Sequence, residues 1–200
     1  FFAEDSSVGD LDNDGDLDVY VTNSNGGALL INDGTGQFTG VTSGVDLGRG
    51  ANVALGDFNE DGFLDASVVK NSSNGWQRNW FNDGTGQFLR GAQALKPDEA
   101  IEILGLAVGD LNGDGSLDLW QGIYINSPER SGGNTVWFNQ GDGRMDIQQP
   151  IFGSSIGKAA SMADLDQDGD LDVFVLSSVA EVWFNESPPG ARDDFYAGSA

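Results

Sequence analysis

The 200-residue chain contains no cysteine and no histidine. It therefore has no disulfide, no thiolate nucleophile and little of the side-chain chemistry that binds zinc. The commonest general base of enzymes is missing as well, because that role falls most often to histidine. The sequence therefore contains no Cys–His or Ser–His–Asp catalytic set.

Basic residues are also scarce. The chain has nine Lys and Arg residues against 32 Asp and Glu residues, a formal net charge of −23. A surface of this sign repels polyanions, so nucleic acid and anionic membrane surfaces are poor partners. The acidity fits either a highly soluble surface or the binding of cations, and the spacing of the acidic residues decides between the two.

Long apolar runs and proline are rare. Val173–Leu176 is one of the longest apolar runs, far short of the roughly 20 residues that insert across a membrane as a helix. Five prolines against 30 glycines indicate many tight turns between ordered segments. No signal peptide is visible at Phe1, so we expect a secreted protein to be represented here by a mature chain or a fragment of a longer one.

An acidic nine-residue motif recurs four times along the chain. The first copy begins at Asp10 and reads Asp-Leu-Asp-Asn-Asp-Gly-Asp-Leu-Asp, and the others begin at Asp57, Asp110 and Asp164, at steps of 47, 53 and 54 residues. Every copy has aspartate at positions 1, 5 and 9 and glycine at position 6. A period of this length indicates a tandem repeat fold.

A second motif follows each acidic motif. It reads Asn-x-Gly-x-Gly from Asn32, Asn82 and Asn139, after two apolar residues and shortly before another. The fourth copy opens at Asn185 and then departs from the pattern, and we take Phe195 as its displaced final apolar residue. Turn signals of this kind between short apolar runs indicate β-hairpins.

These patterns predict an all-β chain. Four-stranded units of about 40–50 residues in tandem are typical of a β-propeller. We predict one repeat domain over residues 1–200, with blades at approximately 1–38, 39–88, 89–145 and 146–200. The four blades either close a small ring or form part of a larger one, or another copy completes the ring, so an oligomer is one of the alternatives.

The acidic motif has the ligand pattern of a calcium loop. Oxygens at positions 1, 3 and 5, glycine at position 6 and a carbonyl at position 7 open an EF-hand loop. Alternate side chains of a curled loop converge on one point, and glycine at position 6 permits the sharp turn. Hard oxygen ligands suit calcium. The EF-hand glutamate at position 12 is absent and an aspartate stands at position 9 instead, directly before an apolar strand.

The two motifs together, repeated from about Val8 to Phe195, resemble the FG-GAP/VCBS repeat family of bacterial secreted proteins and integrin α-chain propellers. The literal Phe-Gly…Gly-Ala-Pro signature is absent, so the resemblance is to the bacterial type. It implies calcium bound by side chains at positions 1, 3, 5 and 9 and by the carbonyl at position 7. The implied ligands are Asp10, Asp12, Asp14, Asp16, Asp18, Asp57, Asn59, Asp61, Phe63, Asp65, Asp110, Asn112, Asp114, Ser116, Asp118, Asp164, Asp166, Asp168, Asp170 and Asp172.

The resemblance implies about four calcium ions. Loops one and four offer carboxylates at all four side-chain positions, whereas Asn59 and Asn112 replace one in loops two and three. Because affinity follows the number of charged ligands, we expect sites one and four to bind more tightly. Extracellular calcium modules bind at about 10⁻⁴–10⁻³ M and would stay mostly empty in a cytosol. We therefore predict a secreted or extracellular protein, with the cell surface and the periplasm as alternatives.

Aromatic and cationic residues outside the repeat pattern are candidate ligand-binding residues. Three tryptophans share one repeat position and are assigned to packing between blades: Trp80, Trp137 and Trp183. The candidates are Trp76 and Trp120, which break the pattern, and Arg130, a rare cation in an extended connection. Connections of unusual length often carry binding in propellers. For Trp120, burial in a strand is the competing expectation.

The sequence favours binding over catalysis. No catalytic constellation is recognisable, and the paired carboxylates are accounted for by calcium. We predict a secreted, calcium-binding β-propeller that acts as a recognition or adhesion module for a glycan or an extracellular protein. Two alternatives stay open: the propeller scaffold of a polysaccharide-degrading enzyme, and a structural subunit of an extracellular assembly.

Overall fold

The structure, a computed structural model, describes residues 3–23, 27–41, 52–70, 76–95, 102–125, 132–152, 157–186 and 195–197. These residues form sixteen β-strands and no helix. The strands make four antiparallel sheets of four strands each. The predicted all-β class and four-stranded units are confirmed. No helix suited by length and hydrophobicity to crossing a membrane occurs within the described ranges.

Each sheet is built from four strands in chain order, as the repeats predict. The first sheet holds β1 (Ala3–Gly9), β2 (Asp18–Asn23), β3 (Ala28–Asn32) and β4 (Phe38–Val41). The second holds β5 (Val53–Gly56), β6 (Asp65–Lys70), β7 (Trp76–Asn82) and β8 (Phe88–Arg90). The third holds β9 (Glu102–Gly109), β10 (Asp118–Tyr124), β11 (Gly132–Asn139) and β12 (Met145–Phe152). The fourth holds β13 (Ala159–Ala163), β14 (Asp172–Leu176), β15 (Ala180–Asn185) and β16 (Phe195–Ala197).

The strand register places both sequence motifs at equivalent positions in every sheet. The acidic loop joins the first two strands, and the Asn-x-Gly turn joins the last two in the first three sheets. Asn185 pairs with Phe195 just as Asn32 pairs with Phe38. Phe195 is therefore the displaced counterpart that the sequence predicts.

The predicted repeat boundaries at residues 38, 88 and 145 fall at the first residue of a fourth strand. The strands continue to Val41, Arg90 and Phe152. The reason is that the apolar residue after each turn marks only where the fourth strand begins. The residues after it, such as Thr39 and Gly40, carry no distinctive strand pattern.

The chain divides into two compact units, residues 1–96 and 97–200, with two sheets in each. Within each unit, one face of the earlier sheet packs against one face of the later sheet. We call these the back face of the earlier sheet and the front face of the later sheet, and the residues below define them. In the first unit the back face contributes Leu11, Tyr20 and Leu29, and the front face Val53, Ala66, Val68 and Trp80. In the second unit the corresponding residues are Leu111, Trp120, Val136 and Phe138, against Val173, Val175 and Trp183. The same repeat positions thus form both cores.

A close approach between backbones in the second unit requires glycine at position 122. Gly122 lies inside β10, and a Cβ atom built on it would overlap the carbonyl oxygen of Gly157. The backbone at Gly157 also lies against the indole ring of Trp120. A side chain at residue 122 would displace backbone rather than a flexible side chain.

We expect Gly122→Ala to destabilise the fold, whereas Gly40→Ala provides a matched control on a strand with space. A Cβ on Gly40 would meet only Leu30 Cδ2 at 3.8 Å, an ordinary contact. G122A should cost about 2 kcal/mol or more through overpacking, which lowers Tm by roughly 4–8 °C. Thermal unfolding followed by circular dichroism measures both variants. Equal Tm values for G122A and G40A would contradict the close approach.

Candidate metal centre

The last aspartate of each acidic loop is the first residue of a second strand and is fully buried. In the third sheet, Asp118 Oδ2 accepts the N–H of Leu111 at 2.9 Å, and Oδ1 accepts the N–H of Asn139 at 2.9 Å. Equivalent pairs of bonds, 2.8–3.1 Å long, occur in the other sheets. One carboxylate therefore holds the start of its loop to the turn between the third and fourth strands. The four residues, each 0% exposed, are Asp18, Asp65, Asp118 and Asp172.

The asparagine that opens the turn also forms hydrogen bonds to the acidic loops, as the second and fourth sheets show. Asn82 Nδ2 donates to the carbonyl of Leu64 in its own loop, and also to the carbonyl of Leu11 in the loop of the preceding sheet, at 2.8 Å. Asn185 donates in the same way to Leu171 and Leu111. Neighbouring loops within each unit are thereby joined. Sequence reasoning used this asparagine only as a turn signal and missed its role, although it recurs in all four repeats.

Hydrogen bonds within each loop curl the backbone around the carboxylates. In the third loop, Asp110 Oδ2 accepts the N–H of Gly115 at 2.9 Å, and Asp114 Oδ1 accepts the N–H of Ser116 at 2.9 Å. The other three loops repeat both bonds. The carboxylates at positions 1 and 5 therefore shape the loop in which they stand.

The backbone of each loop enters the left-handed region at two positions. Glycine at position 6 has φ between 92° and 104° in the four loops, which confirms the predicted sharp turn. Position 4 is also left-handed, with φ of 62° at Asn13, 59° at Glu60, 68° at Gly113 and 68° at Gln167. Sequence reasoning missed position 4, because a different residue stands there in each loop.

Carboxylates converge in the first and fourth loops. Asp10, Asp12 and Asp18 each place one oxygen within 4.8 Å of the others, and Asp164, Asp166 and Asp172 do the same. A further group in the fourth repeat brings Glu186 together with Asp166 and Asp168. These groups can hold a metal ion.

One oxygen in the first loop fits a bound cation particularly well. Asp12 Oδ1 is buried and accepts no hydrogen bond in the structure. A buried carboxylate oxygen without a partner costs free energy, and a cation beside it would remove that cost. The donor set of carboxylates and amides, without sulfur or nitrogen ligands, fits a hard ion such as calcium.

In loops two and three, the side chain at position 3 is an asparagine that forms hydrogen bonds within its own loop. Asn112 Nδ2 donates to Asp114 Oδ2 at 2.9 Å, and Asn112 Oδ1 accepts the N–H of Asp114 at 3.0 Å. Asn59 makes the same two bonds to Asp61. In these loops the group at position 3 is neutral and already hydrogen-bonded, so a cation would gain less there than in the first loop.

Burial raises the pKa of several loop carboxylates. It raises the pKa of Asp65 and of Asp118 to about 7, against the opposing effect of the two backbone N–H donors and with further repulsion from aspartates at positions 1 and 5. Burial, followed by the charges of Asp14 and Asp18, also raises the pKa of Asp12. With ordinary values near 4 in the unfolded chain, Asp65 and Asp118 make the ion-free fold less stable as pH rises from about 4 to 7. A bound cation would reverse this penalty.

Of the three predicted ligand-binding residues outside the loops, only Trp120 has a side chain within the described part of the structure. Trp76 is the first residue of β7, and its side chain lies outside the described part of the chain. Trp120 is 0% exposed in the core of the second unit, the alternative expected from its strand position. Arg130 lies outside the described residues.

The tryptophans that share a repeat position are core residues. Trp80 and Trp183 belong to the cores of the first and second unit and are 5% and 9% exposed. Trp137 is 5% exposed, and its Nε1 donates to Gln121 Oε1 at 2.8 Å. Their assignment to packing is confirmed for Trp80 and Trp183, and Trp137 is buried as well.

The chain matches a known family of repeat proteins over most of its length. A family model described as FG-GAP-like repeat matches residues 10–68, 57–120 and 123–175. The first two matches begin at position 1 of an acidic loop. Because these segments cover most of the chain, the protein belongs to the FG-GAP-like repeat family, as the resemblance predicted.

A solved structure of a protein from Agrocybe aegerita has a similar fold. It is a lectin described for specific recognition of non-reducing terminal N-acetylglucosamine. The alignment has a TM-score of 0.64 and 17% sequence identity, and it covers 96% of this chain and 51% of the lectin. The chain thus spans about half the length of that lectin, and the likeness shows a shared fold. No curated protein sequence matches the chain.

We expect Asp118→Ala to destabilise the protein even without metal. The substitution removes the acceptors of two buried N–H groups, at Leu111 and Asn139, each worth about 1–3 kcal/mol. The expected loss is therefore about 2–6 kcal/mol in urea denaturation with a chelator present. Asp142→Ala, at an exposed turn position, is the control and should change stability by less than about 0.5 kcal/mol. A D118A effect confined to calcium-containing buffer would show that Asp118 acts only as a metal ligand.

Proposed function

We propose that the acidic loops bind calcium and that the protein is a secreted, calcium-dependent recognition module built as a β-propeller. The observation that carries this proposal is the convergence of carboxylates in the first and fourth loops, with a buried oxygen of Asp12 left without a partner. Such ions would stabilise the folded form of a chain with net charge −23, since they neutralise clustered charges that otherwise repel one another.

Each of the four loops would hold one ion. Side-chain oxygens at positions 1, 3, 5 and 9 and the carbonyl at position 7 are the proposed ligands, as in the loop that begins at Asp10. The buried aspartate at position 9 can serve both roles, because each carboxylate oxygen has two lone pairs and only one is used by a backbone N–H. The calcium ion supplies charge and a fixed geometry, and it would stabilise the loops and the turns attached to them.

The propeller architecture is supported by the repeated packing of sheet on sheet. Both units join successive four-stranded sheets through the same repeat positions, and an asparagine joins their loops in each. Radial repetition of such units is how a propeller is built. The fold likeness to the lectin, over 96% of this chain, adds to this support.

Recognition of a glycan is the function that we propose for the module. Support comes from the family of calcium-loop repeats and from the shared fold with a lectin. The sugar that the lectin recognises is a starting point for screening rather than an assigned ligand. Secretion follows from the calcium requirement, because affinities of about 10⁻⁴–10⁻³ M suit extracellular calcium.

A calcium titration of chelator-stripped protein at pH 6 and pH 8 tests the metal sites. We expect about four ions per chain, two of them tighter, and a higher Tm in calcium. Binding at the weaker sites should be poorer at pH 6, because Asp65 and Asp118, whose pKa lies near 7, must lose a proton first. Calorimetry in buffers of different ionisation enthalpy measures these protons.

Two reciprocal variants sharpen the calcium test. Asp12→Asn removes one charge from the first loop and should weaken one tight site, whereas Asn59→Asp adds one to the second loop and should strengthen one weak site. The titration of each variant should differ from the parent at a single site. An absence of binding, or affinities that do not respond to either substitution, would contradict the assignment of the loops.

A glycan array probed with and without calcium tests recognition. We expect retention of a defined group of glycans in calcium and its reversible loss in chelator, because calcium would stabilise the loops and the turns attached to them. Glycans that end in N-acetylglucosamine belong on the array. D142A keeps every loop residue and should bind as the parent does. If the protein is shown to be folded and retains no glycan on the array in calcium, the glycan proposal is contradicted.

A further inference from the structure

The two methionines of the chain have different environments. They hold all of its sulfur, because cysteine is absent. Met145, the first residue of β12, is 1% exposed. Met162 lies in β13 and is only partly buried, so part of its side chain meets solvent. Since an oxidant must reach the side chain in order to react with it, Met162 is the methionine that reacts while the fold is intact.

The sulfur of Met162 lies in the contact between the third and fourth sheets. A Cβ atom built on Gly109, the last residue of β9, would be 2.7 Å from Met162 Sδ and 3.0 Å from Leu171 Cδ1. A real Cβ atom does not come so close to a sulfur, so the sulfur fills space that glycine leaves open. Met162 and Leu171 also pack against the apolar core of the second unit. The thioether thus contributes directly to the packing of one sheet on the next.

The first unit has a leucine at the same repeat position. Leu55 pairs with Ala66 as Met162 pairs with Val173, in each case with the residue after the position-9 aspartate. Leu55 Cδ1 is 3.3 Å from a Cβ atom built on Gly9, in the contact between the first and second sheets. At this contact the second unit therefore carries an oxidisable atom where the first unit carries a hydrocarbon.

Oxidation would change the chemistry of this contact. A lone pair of the sulfur attacks one oxygen of hydrogen peroxide, the O–O bond breaks, and the other oxygen takes up a proton and leaves as water. The sulfur is oxidised by two electrons and the peroxide is reduced, which gives a polar sulfoxide. The neighbouring side chains of Leu171 and Val173 donate no hydrogen bond to the new oxygen. It keeps its hydration only if the Met162 side chain withdraws from Gly109.

We propose that Met162 is a site of oxidation by peroxides and that its sulfoxide loosens the packing of the fourth sheet on the third. The effect is confined to the second unit, because Leu55 stands at the equivalent place in the first. The modification is reversible, since methionine sulfoxide is a substrate of sulfoxide reductases. The proposal rests on packing and is independent of calcium binding and glycan recognition.

Peptide mapping by mass spectrometry, after brief exposure of the folded protein to dilute hydrogen peroxide, tests the site. We expect Met162 to be oxidised about tenfold or more faster than Met145, which reacts only when the fold opens. Oxidation should lower Tm by about 4 °C or more and shift the amide signal of Gly109 in NMR spectra, with no change at Gly9. Equal oxidation rates of the two methionines, or an unchanged Tm once Met162 is fully oxidised, would overturn the proposal.

Two variants identify the residue responsible. Met162→Leu places the residue of the first unit at this contact. It should fold with nearly the Tm of the parent, because leucine and methionine exchange at small cost, and it should keep that Tm after peroxide treatment. Met145→Leu keeps Met162 as the single methionine and should lose stability in step with the sulfoxide formed there. An M162L protein that loses as much Tm as the parent, or an oxidised M145L protein that loses none, contradicts the role of Met162.

Discussion

The fold of each repeat depends on one buried carboxylate, the aspartate at position 9 of its acidic loop. In every sheet its two oxygens accept backbone N–H groups from the second residue of the loop and from the asparagine of the turn. These two segments are separated along the chain and lie on opposite sides of the second strand, with which the strands leading into them pair, as at Gly109 and Trp137 in the third sheet. The carboxylate therefore sets where the loop begins relative to the turn, and the turn asparagine then reaches the neighbouring loop.

The motif that builds each repeat also carries the ligands of the proposed metal sites. A carboxylate buried at this point is costly when ionised, as the raised pKa values of Asp65 and Asp118 indicate. Carboxylates at positions 1, 3 and 5 add repulsion, and Asp12 has a buried oxygen without a partner. A divalent cation placed among them converts each of these costs into an attraction. Ions bound at the proposed sites would neutralise part of the excess of acidic over basic residues, because many of the acids are grouped in the loops.

Much of this could be predicted from the sequence, because periodic motifs act locally. The fixed aspartates and glycines of the loop, and the Asn-x-Gly-x-Gly turn, dictate backbone geometry within a few residues, so the strands, the sharp turn at position 6 and the counterpart role of Phe195 were accessible. Contacts between segments distant in sequence were not. The hydrogen bond from Asn82 to the Leu11 carbonyl spans two repeats, and the indole ring of Trp120 lies against the backbone at Gly157. The left-handed backbone at position 4 was hidden because four different residues occupy it.

Amide hydrogen exchange in calcium-free buffer tests the central role of the position-9 aspartate most directly. It reports on the donors of the two proposed bonds, at Leu111 and Asn139 in the third sheet and at their counterparts in the others. If the carboxylate holds loop and turn together without an ion, these amides exchange as slowly as those in the middle of β10. If they exchange as fast as the loop amide of Gly113, the carboxylate does not hold the loop to the turn, and the account is contradicted.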